Sequence, residues 1–143
     1  MRFTITPVLA LAGVLAAGAA SLSAHHAFAA EFDVTKPVKL QGTLKVWEMI
    51  NPHSWFHVDV KNPDGTVTEW LVEGGSPNQL IRNGVTKKTI PVGTELTIDA
   101  YQAKDGTNKA VGRNFVLKDG SRLFLGGSAP GQSDSAAAKS GTK

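Results

Sequence analysis

The chain has 143 residues, no cysteine, and 15 basic against 12 acidic side chains, which gives a net charge of +3 at neutral pH. The lack of cysteine excludes disulfides, thiolate metal sites and cysteine nucleophiles. The length predicts a single domain. Nucleic-acid-binding proteins cluster Lys and Arg on one face, and no stretch of this sequence does so, which argues against that class.

The first 24 residues have the pattern of an export signal. Arg2 supplies a positive charge, and Val8–Ala20 is an uncharged apolar run of 13 residues. A membrane-spanning helix needs about 20 apolar residues, so the run predicts a signal peptide with no membrane span. We therefore expect a periplasmic or secreted protein. The distance from the apolar run favours cleavage after Ala24, while the small residues around Phe28 leave cleavage after Ala29 open.

Two predicted strands flank a break at Asn51-Pro52. Alternation in the first strand, "VKLQGTLKVWEM", predicts one inward face and one outward face. The predicted inward residues are Leu40, Leu44 and Val46, and the outward ones are Gln41, Thr43, Lys45 and Trp47. Gly42 inside this strand predicts a bulge or a sharp bend. In the second strand, "SWFHVDV", the inward residues are Phe56, Val58 and Val60, and the outward ones are Trp55, His57 and Asp59.

The remaining elements follow in chain order. "TVTEWLVE" predicts a third strand after the turn "NPDG". Ser76 as N-cap, Pro77 at the first helical position and Gly84 as the stop predict a short helix with Leu80 and Ile81 as an apolar patch. "TELTIDAYQA" and "KAVGRNFVLK" predict two more strands, and "SRLFLG" a short edge piece. Residues 127–143 are rich in Ser, Ala and Gly and are predicted to be disordered.

Three strands, a short helix, two strands and an edge piece predict an all-β fold with one short helix. The expected architecture is a small five- to six-stranded Greek-key barrel similar to the OB-fold, over residues 25–126, with the helix plugging the barrel. An open β-sandwich is the alternative. A glycine or bulge in the first strand would let that strand serve both halves of the barrel.

Four segments together resemble a known family: "HHAFAAEFD", "GTLKVWEMINPHSWFHVDV", "WLVEGGSPNQLIRNGV" and "AYQAKDGTNKAVGRNFVLKDGSRL". The resemblance is to an exported bacterial family catalogued as domain of unknown function 6152, and it covers about His25 to Leu125. It implies export and the extent of the domain, and it implies no activity. The family more often has Ser where this chain has Ala27, which argues against a catalytic role at that position.

The four histidines, His25, His26, His53 and His57, are candidate metal ligands, because imidazole commonly binds zinc and copper. Cleavage after Ala24 would give His25 a free amino group that chelates copper together with its side chain. A third nitrogen would come from His26, His53 or His57. His53 and His57 lie about 13 Å apart in an extended strand, at ~3.3 Å per residue, so we expect only one of them to join. The structural alternative is that these histidines are surface or hydrogen-bonded residues.

The outward side of the second strand is the other candidate site. On OB barrels this side of strands two and three is the usual ligand surface. We expect Trp47 and Trp55 to form an aromatic platform there, with ligand contacts from five residues: Trp47, Asn51, His53, Trp55 and His57. The expected ligand is a small molecule, a peptide or a protein partner. The alternative for each ring is burial in the core, which is favoured for Trp70.

The sequence does not predict an enzyme. It lacks a serine-nucleophile elbow, a phosphate-binding glycine loop and the zinc-protease motif HExxH. Four acidic residues could form an acid–base pair, but no motif spacing links them, and we expect most to lie on solvated faces: Glu48, Asp59, Glu69 and Glu73. We therefore expect a non-enzymatic binding or accessory module without a cofactor. A copper- or zinc-binding protein is the alternative.

Overall fold

The computed structural model describes residues 28–127 and residue 129. Within them lie six strands and a short helix, α1 (Pro77–Arg82), and a helical turn at residues 28–31 precedes the first strand. The strands are β1 (Phe32–Glu48), β2 (Trp55–Lys61), β3 (Val67–Glu73), β4 (Glu95–Ala103), β5 (Lys109–Leu117) and β6 (Arg122–Phe124). The predicted order of elements is confirmed. β1 begins six residues earlier than predicted, because Phe32 pairs with Ala103 at the end of β4.

The six strands form one sheet in the order β3-β2-β1-β4-β5-β6, and a further parallel pairing joins β3 to β5. This pairing closes the first five strands into a barrel-like ring, with Leu71 opposite Lys109 and Glu73 opposite Val111. All other pairings are antiparallel. The predicted fold class, a small all-β ring similar to the OB-fold with a helix between strands three and four, is therefore confirmed.

β1 serves both halves of the ring, as the glycine in its middle predicts. Its second half pairs with β2 from Gly42 onward, and its first half pairs with β4 as far as Thr43. A Cβ atom on Gly42 would lie 2.5 Å from the carbonyl oxygen of Asp59 and 2.8 Å from the Val58 side chain. β1 and β2 can approach this closely only because residue 42 has no side chain.

A bulge in β1 overturns the predicted faces of its second half. Leu44 pairs with Val58 and Val46 with His57, so Lys45 is the extra residue. A bulge residue shifts the alternation by one position. Val46 therefore points outward and is 39% exposed, whereas Trp47 lies in the core at 7% exposure. The predictions of an inward Val46 and an outward Trp47 are both wrong.

The core fills the ring with aromatic and aliphatic side chains. Phe56 is completely buried, and its ring meets Trp47 and Phe115 edge-on, each at a centroid distance of 5.0 Å. The predicted inward residues of β4 are also buried: Leu96, Ile98 and Ala100. Helix α1 adds Leu80 to this core, but Ile81 is 55% exposed, so the predicted apolar pair contributes only one core residue.

A second apolar cluster joins the two ends of the described chain. It contains Phe28, Phe32, Ala103, Val111 and Ala129, all buried, with the Tyr101 ring packed against them. Ala129 is only 4% exposed. The predicted signal peptide, His25 and His26 lie outside the described residues, as does nearly all of the predicted tail. Within residues 28–127, no helix has the length and hydrophobicity needed to cross a membrane.

Candidate ligand-binding face

Trp55 and His57 project from the outward side of β2 and are half-buried, as the alternation predicts. The strand pairing places other polar residues beside them. Trp55 is opposite Glu48 on β1 and Glu73 on β3. Since directly paired residues of adjacent strands share one face of a sheet, Glu48 and Glu73 lie on the same face as Trp55.

His57 lies between two carboxylates from different strands. Its Nδ1 is 2.9 Å from Glu69 Oε1, and its Nε2 is 3.3 Å from Glu48 Oε1. The hydrogen bond to Glu69 favours the protonated ring and raises the pKa of His57 above its ordinary value, although partial burial opposes this shift. The imidazole is therefore fixed in orientation and biased towards its cationic form.

Lys45, the bulge residue of β1, extends the cluster along the same face. Its Nζ is 2.7 Å from Glu69 Oε2 and 3.6 Å from Asp59 Oδ1. The Lys45 ammonium lowers the pKa of Glu69, with a smaller effect from His57, and Glu69 in turn raises the pKa of Lys45. These groups lie partly in solvent, so their ion pairs contribute little to the free energy of folding. Their main effect is to hold the side chains of this face in fixed positions.

Glu73, at the end of β3, is the most deeply buried of these acidic residues. It is 3% exposed, and its Oε1 is 2.7 Å from His53 Nδ1. Burial raises the pKa of Glu73, and the neighbouring His53 partly offsets the shift. His53 itself lies in the bend that follows the cis peptide between Asn51 and Pro52, just before β2 begins.

Lys109 covers the ring of Trp55. Its Nζ is 4.8 Å from the ring centroid, within the range of a cation–π contact. The same ammonium forms an ion pair with Glu31 in the helical turn before β1. The N-terminal segment and the first residue of β5 therefore meet over the outward side of β2.

We call this surface the β2 face. It combines two histidines and one tryptophan with five carboxylates but only two lysines, although the whole chain has a net charge of +3. Its members are Glu31, Lys45, Glu48, His53, Trp55, His57, Asp59, Glu69, Glu73 and Lys109. The β2 face is therefore a network of paired charges in which carboxylates outnumber ammonium groups.

The structure brings together some predicted site residues and separates others. His53, Trp55 and His57 belong to the β2 face, and Asn51 is exposed in the bend beside it. Trp47 does not belong to the β2 face, because the bulge directs its side chain into the core. The predicted Trp47–Trp55 platform is therefore wrong. Trp70 is partly buried against the core.

Sequence reasoning missed Glu31 and Lys109, which meet across 78 positions of the chain. It also treated the acidic residues as mostly solvated, whereas Glu73 is buried. No local pattern could have shown these contacts. The position of Lys109 shortly after the predicted turn "KDGT" gives no sign that its ammonium reaches a tryptophan on another strand.

The two described histidines differ as candidate metal ligands. Each ring nitrogen of His57 faces a different carboxylate, so these groups do not converge on one point. His53 contacts Glu73 through Nδ1 alone among the described residues. Within residues 28–127, no group of three or more His, Cys, Asp or Glu side chains is arranged to hold a metal ion.

The raised pKa of His57 predicts a pH-dependent contribution to stability. Because the folded-state pKa exceeds the unfolded one, the stabilisation is fully present below the unfolded value and is lost as pH rises through the folded value. We expect His57→Gln to lower the unfolding free energy by less than about 1 kcal/mol at pH 6, and by less still at pH 9. Urea unfolding at both pH values measures this.

Glu69→Gln is the matched control, since it removes the main cause of the shift. In that variant, we expect the pKa of His57, measured by NMR titration, to lie closer to its ordinary value. An unchanged pKa in Glu69→Gln, or a His57→Gln effect that grows with pH, would contradict the assigned geometry.

Comparison with known proteins identifies the family of this chain. No curated protein and no solved structure is significantly similar to this chain. A family model described as a family of unknown function, DUF6152, matches residues 12–113. The match covers most of the chain and includes β1, β2, β3, α1 and β4. The chain therefore belongs to this family of unknown function.

Proposed function

We propose that the protein is an exported, non-enzymatic binding or accessory module whose ligand contacts the β2 face. One observation carries the proposal: His53, Trp55 and His57 project from the ring beside an ordered set of charged groups instead of filling the core. Tryptophan is enriched at interfaces, because its ring offers a large apolar surface and its indole N–H a hydrogen-bond donor. The ligand would be a small molecule, a peptide or a protein partner in the periplasm or outside the cell.

The pairing of the carboxylates supports binding over catalysis. A general acid or base must come within about 2.6–3.2 Å of the proton that it transfers. Glu73, whose burial raises its pKa, is covered and already contacts His53. Glu69 contacts both Lys45 and His57. A fixed network of this kind suits the orientation of a bound molecule.

Burial of Phe28 supports export with cleavage after Ala24. Phe28 is 4% exposed and packs with Phe32 and Tyr101. Lys104 Nζ donates a hydrogen bond to the carbonyl of Ala29. Cleavage after Ala29 would remove the Phe28 ring and leave a gap in the second cluster. A mature chain that begins at His25 keeps all of these contacts.

The test is a ligand screen read by NMR of the three tryptophan indole groups. We expect compounds from a mixed library of neutral, anionic and cationic small molecules to shift the Trp55 signal and leave Trp47 unchanged, because Trp47 is buried. Trp55→Phe assigns the signal. A cleft of about 730 Å³, which shares Asp59 with the β2 face and is otherwise lined by residues such as Gln41, Lys61 and Val67, serves as the comparison region.

Val67→Ala is the matched variant for that cleft. Because Trp55→Phe has no Trp55 signal, binding to both variants is followed through backbone amide shifts. Binding that responds to Val67→Ala and not to Trp55→Phe would place the ligand in the cleft and refute the proposal. Binding that responds to Trp55→Phe alone would support it.

The second candidate function is copper or zinc binding by His25 and His26 with His53. The His53–Glu73 contact favours it, because metal-bound histidines commonly contact a carboxylate through their other ring nitrogen. The fold also brings the start of the described chain near His53. Phe28, two residues after His26, packs in the same cluster as Val111. Val111 pairs with Glu73, which contacts His53. His57 is the weaker candidate, because carboxylates face both of its ring nitrogens.

Copper titration of the protein beginning at His25 distinguishes these ligands. If the metal function is correct, we expect a d–d absorption band that is lost in His25→Ala and His53→Ala and kept in His57→Ala. The kept band in His57→Ala controls for general damage to the β2 face. Equal spectra for wild type and His53→Ala would exclude His53 as a ligand.

A further inference from the structure

We propose that the ligand of the β2 face carries a guanidinium or protonated amine group, which binds on the ring of Trp55 in place of Lys109. The inference rests on the proposed function and specifies its ligand class. Lys109 would then act as a resident competitor that covers the site until a cationic ligand displaces it.

The position of Lys109 shows that a cation fits on this ring. Its Nζ is 4.8 Å from the Trp55 centroid, and cation–π contacts extend to about 6 Å. The face of an indole ring carries negative electrostatic potential, and tryptophan is the strongest of the aromatic side chains in this role. Trp55 is only half-buried despite this cover, so its remaining ring surface is accessible.

The neighbours of Trp55 favour a cation with N–H donors. Glu48 and Glu73 are directly opposite Trp55 on the adjacent strands, and Glu48 is the more exposed of the two, because Glu73 is buried and contacts His53. Carboxylates accept charge-assisted hydrogen bonds from ammonium and guanidinium groups, and these bonds are stronger than neutral ones. A quaternary ammonium has no N–H donor and is usually bound by several aromatic rings, whereas one ring lies here.

The charge distribution also favours a cationic ligand. The β2 face has five carboxylates against two lysines and His57, which is biased towards its cationic form, so carboxylates still outnumber the cationic groups. A local field of one sign raises the concentration of oppositely charged molecules at a surface. Anionic ligands would meet Glu48, Glu69 and Asp59 and would be repelled.

The ion pair with Glu31 makes displacement of Lys109 inexpensive. Glu31 contacts the Lys109 ammonium from the helical turn, independently of the Trp55 ring. On this proposal, Lys109 keeps Glu31 as its carboxylate partner when a ligand displaces it from the ring. The ligand then has to replace only the cation–π contact, which contributes little at a solvent-facing site.

The test uses N-acetyl-arginine amide as probe and N-acetyl-citrulline amide as its neutral isostere, with NMR of the Trp55 indole as readout. We expect the arginine derivative to shift the Trp55 signal and the citrulline derivative not to do so. Lys109→Met keeps the aliphatic stem and removes the competing charge, so we expect it to bind the arginine derivative about three- to tenfold more tightly. Unchanged Trp47 and Trp70 signals confirm that the variant is folded.

Each contrary outcome has a distinct meaning. Equal binding of both probes, or weaker binding by Lys109→Met, would overturn the cation proposal and leave the β2 face as a binding surface. The cation proposal would also be overturned if neutral or anionic library compounds bind at Trp55 and the arginine derivative does not. If no compound of any charge shifts Trp55, both the ligand class and the proposed function are wrong.

Discussion

Replacing Phe28 with alanine is expected to lower the free energy of unfolding by about 3 kcal/mol, a typical cost for removing a buried phenylalanine ring. Phe28 is 4% exposed, and its ring centroid is 6.0 Å from both Phe32 and Tyr101. The second cluster has only five buried residues, and Phe32 and Tyr101 both pack against the Phe28 ring, so its removal leaves both of them without that contact. Urea unfolding followed by far-ultraviolet circular dichroism measures the loss.

Val34→Ala is the matched control, because Val34 lies on the same strand as Phe32 but is 50% exposed. We expect it to change stability by less than about 0.5 kcal/mol. Relative to a chain that begins at His25, a chain that begins at Ala30 should lose at least as much stability as Phe28→Ala does. Equal stability of the two chains would contradict the role of Phe28 and leave cleavage after Ala29 as the better position.

Replacing Gly42 with alanine is expected to destabilise the protein by about 2–3 kcal/mol, a value in the range for overpacked sites. The new Cβ would lie 2.5 Å from the Asp59 carbonyl oxygen and 2.8 Å from Val58 Cγ1. The Asp59 carbonyl belongs to the β2 backbone, so it cannot move without shifting the strand. The substitution therefore forces apart β1 and β2 at the point where β1 passes from β4 to β2.

Gln41→Ala provides the comparison for Gly42→Ala. Gln41 is the adjacent residue of β1, is exposed, and should be nearly neutral to stability when shortened. Because Gly42 positions the start of the β1–β2 pairing, the Trp55 indole signal should also shift in Gly42→Ala and remain in place in Gln41→Ala. Wild-type stability in Gly42→Ala would show that the two strands are not in such close contact.

The sequence predicts the architecture well because its signals are local. Alternating residues identify the strands, Ser76 and Pro77 begin the helix, and Ser76 Oγ accepts a hydrogen bond from the Gln79 amide as an N-cap should. Gly42 marks the residue where β1 changes partners. The helix between β3 and β4 then distinguishes the OB-like ring from a sandwich.

The candidate site is predicted only in part, because it depends on pairing between distant strands. The outward direction of Trp55 and His57 follows from alternation alone. Nothing local indicates that the bulge falls at Lys45, and that single extra residue moves Trp47 from the β2 face into the core. The contacts of Glu73 with His53 and of Lys109 with Glu31 require the folded ring.

The central claim is that Trp55 stands on an accessible outward face while Trp47 belongs to the core. Paramagnetic relaxation by a neutral, soluble gadolinium chelate tests it directly, since the effect on each indole N–H falls steeply with distance from solvent. We predict strong broadening for Trp55 and protection for Trp47, whose Nε1 is buried. Equal protection of Trp55 and Trp47 would contradict the claim and remove the basis for a ligand surface on β2.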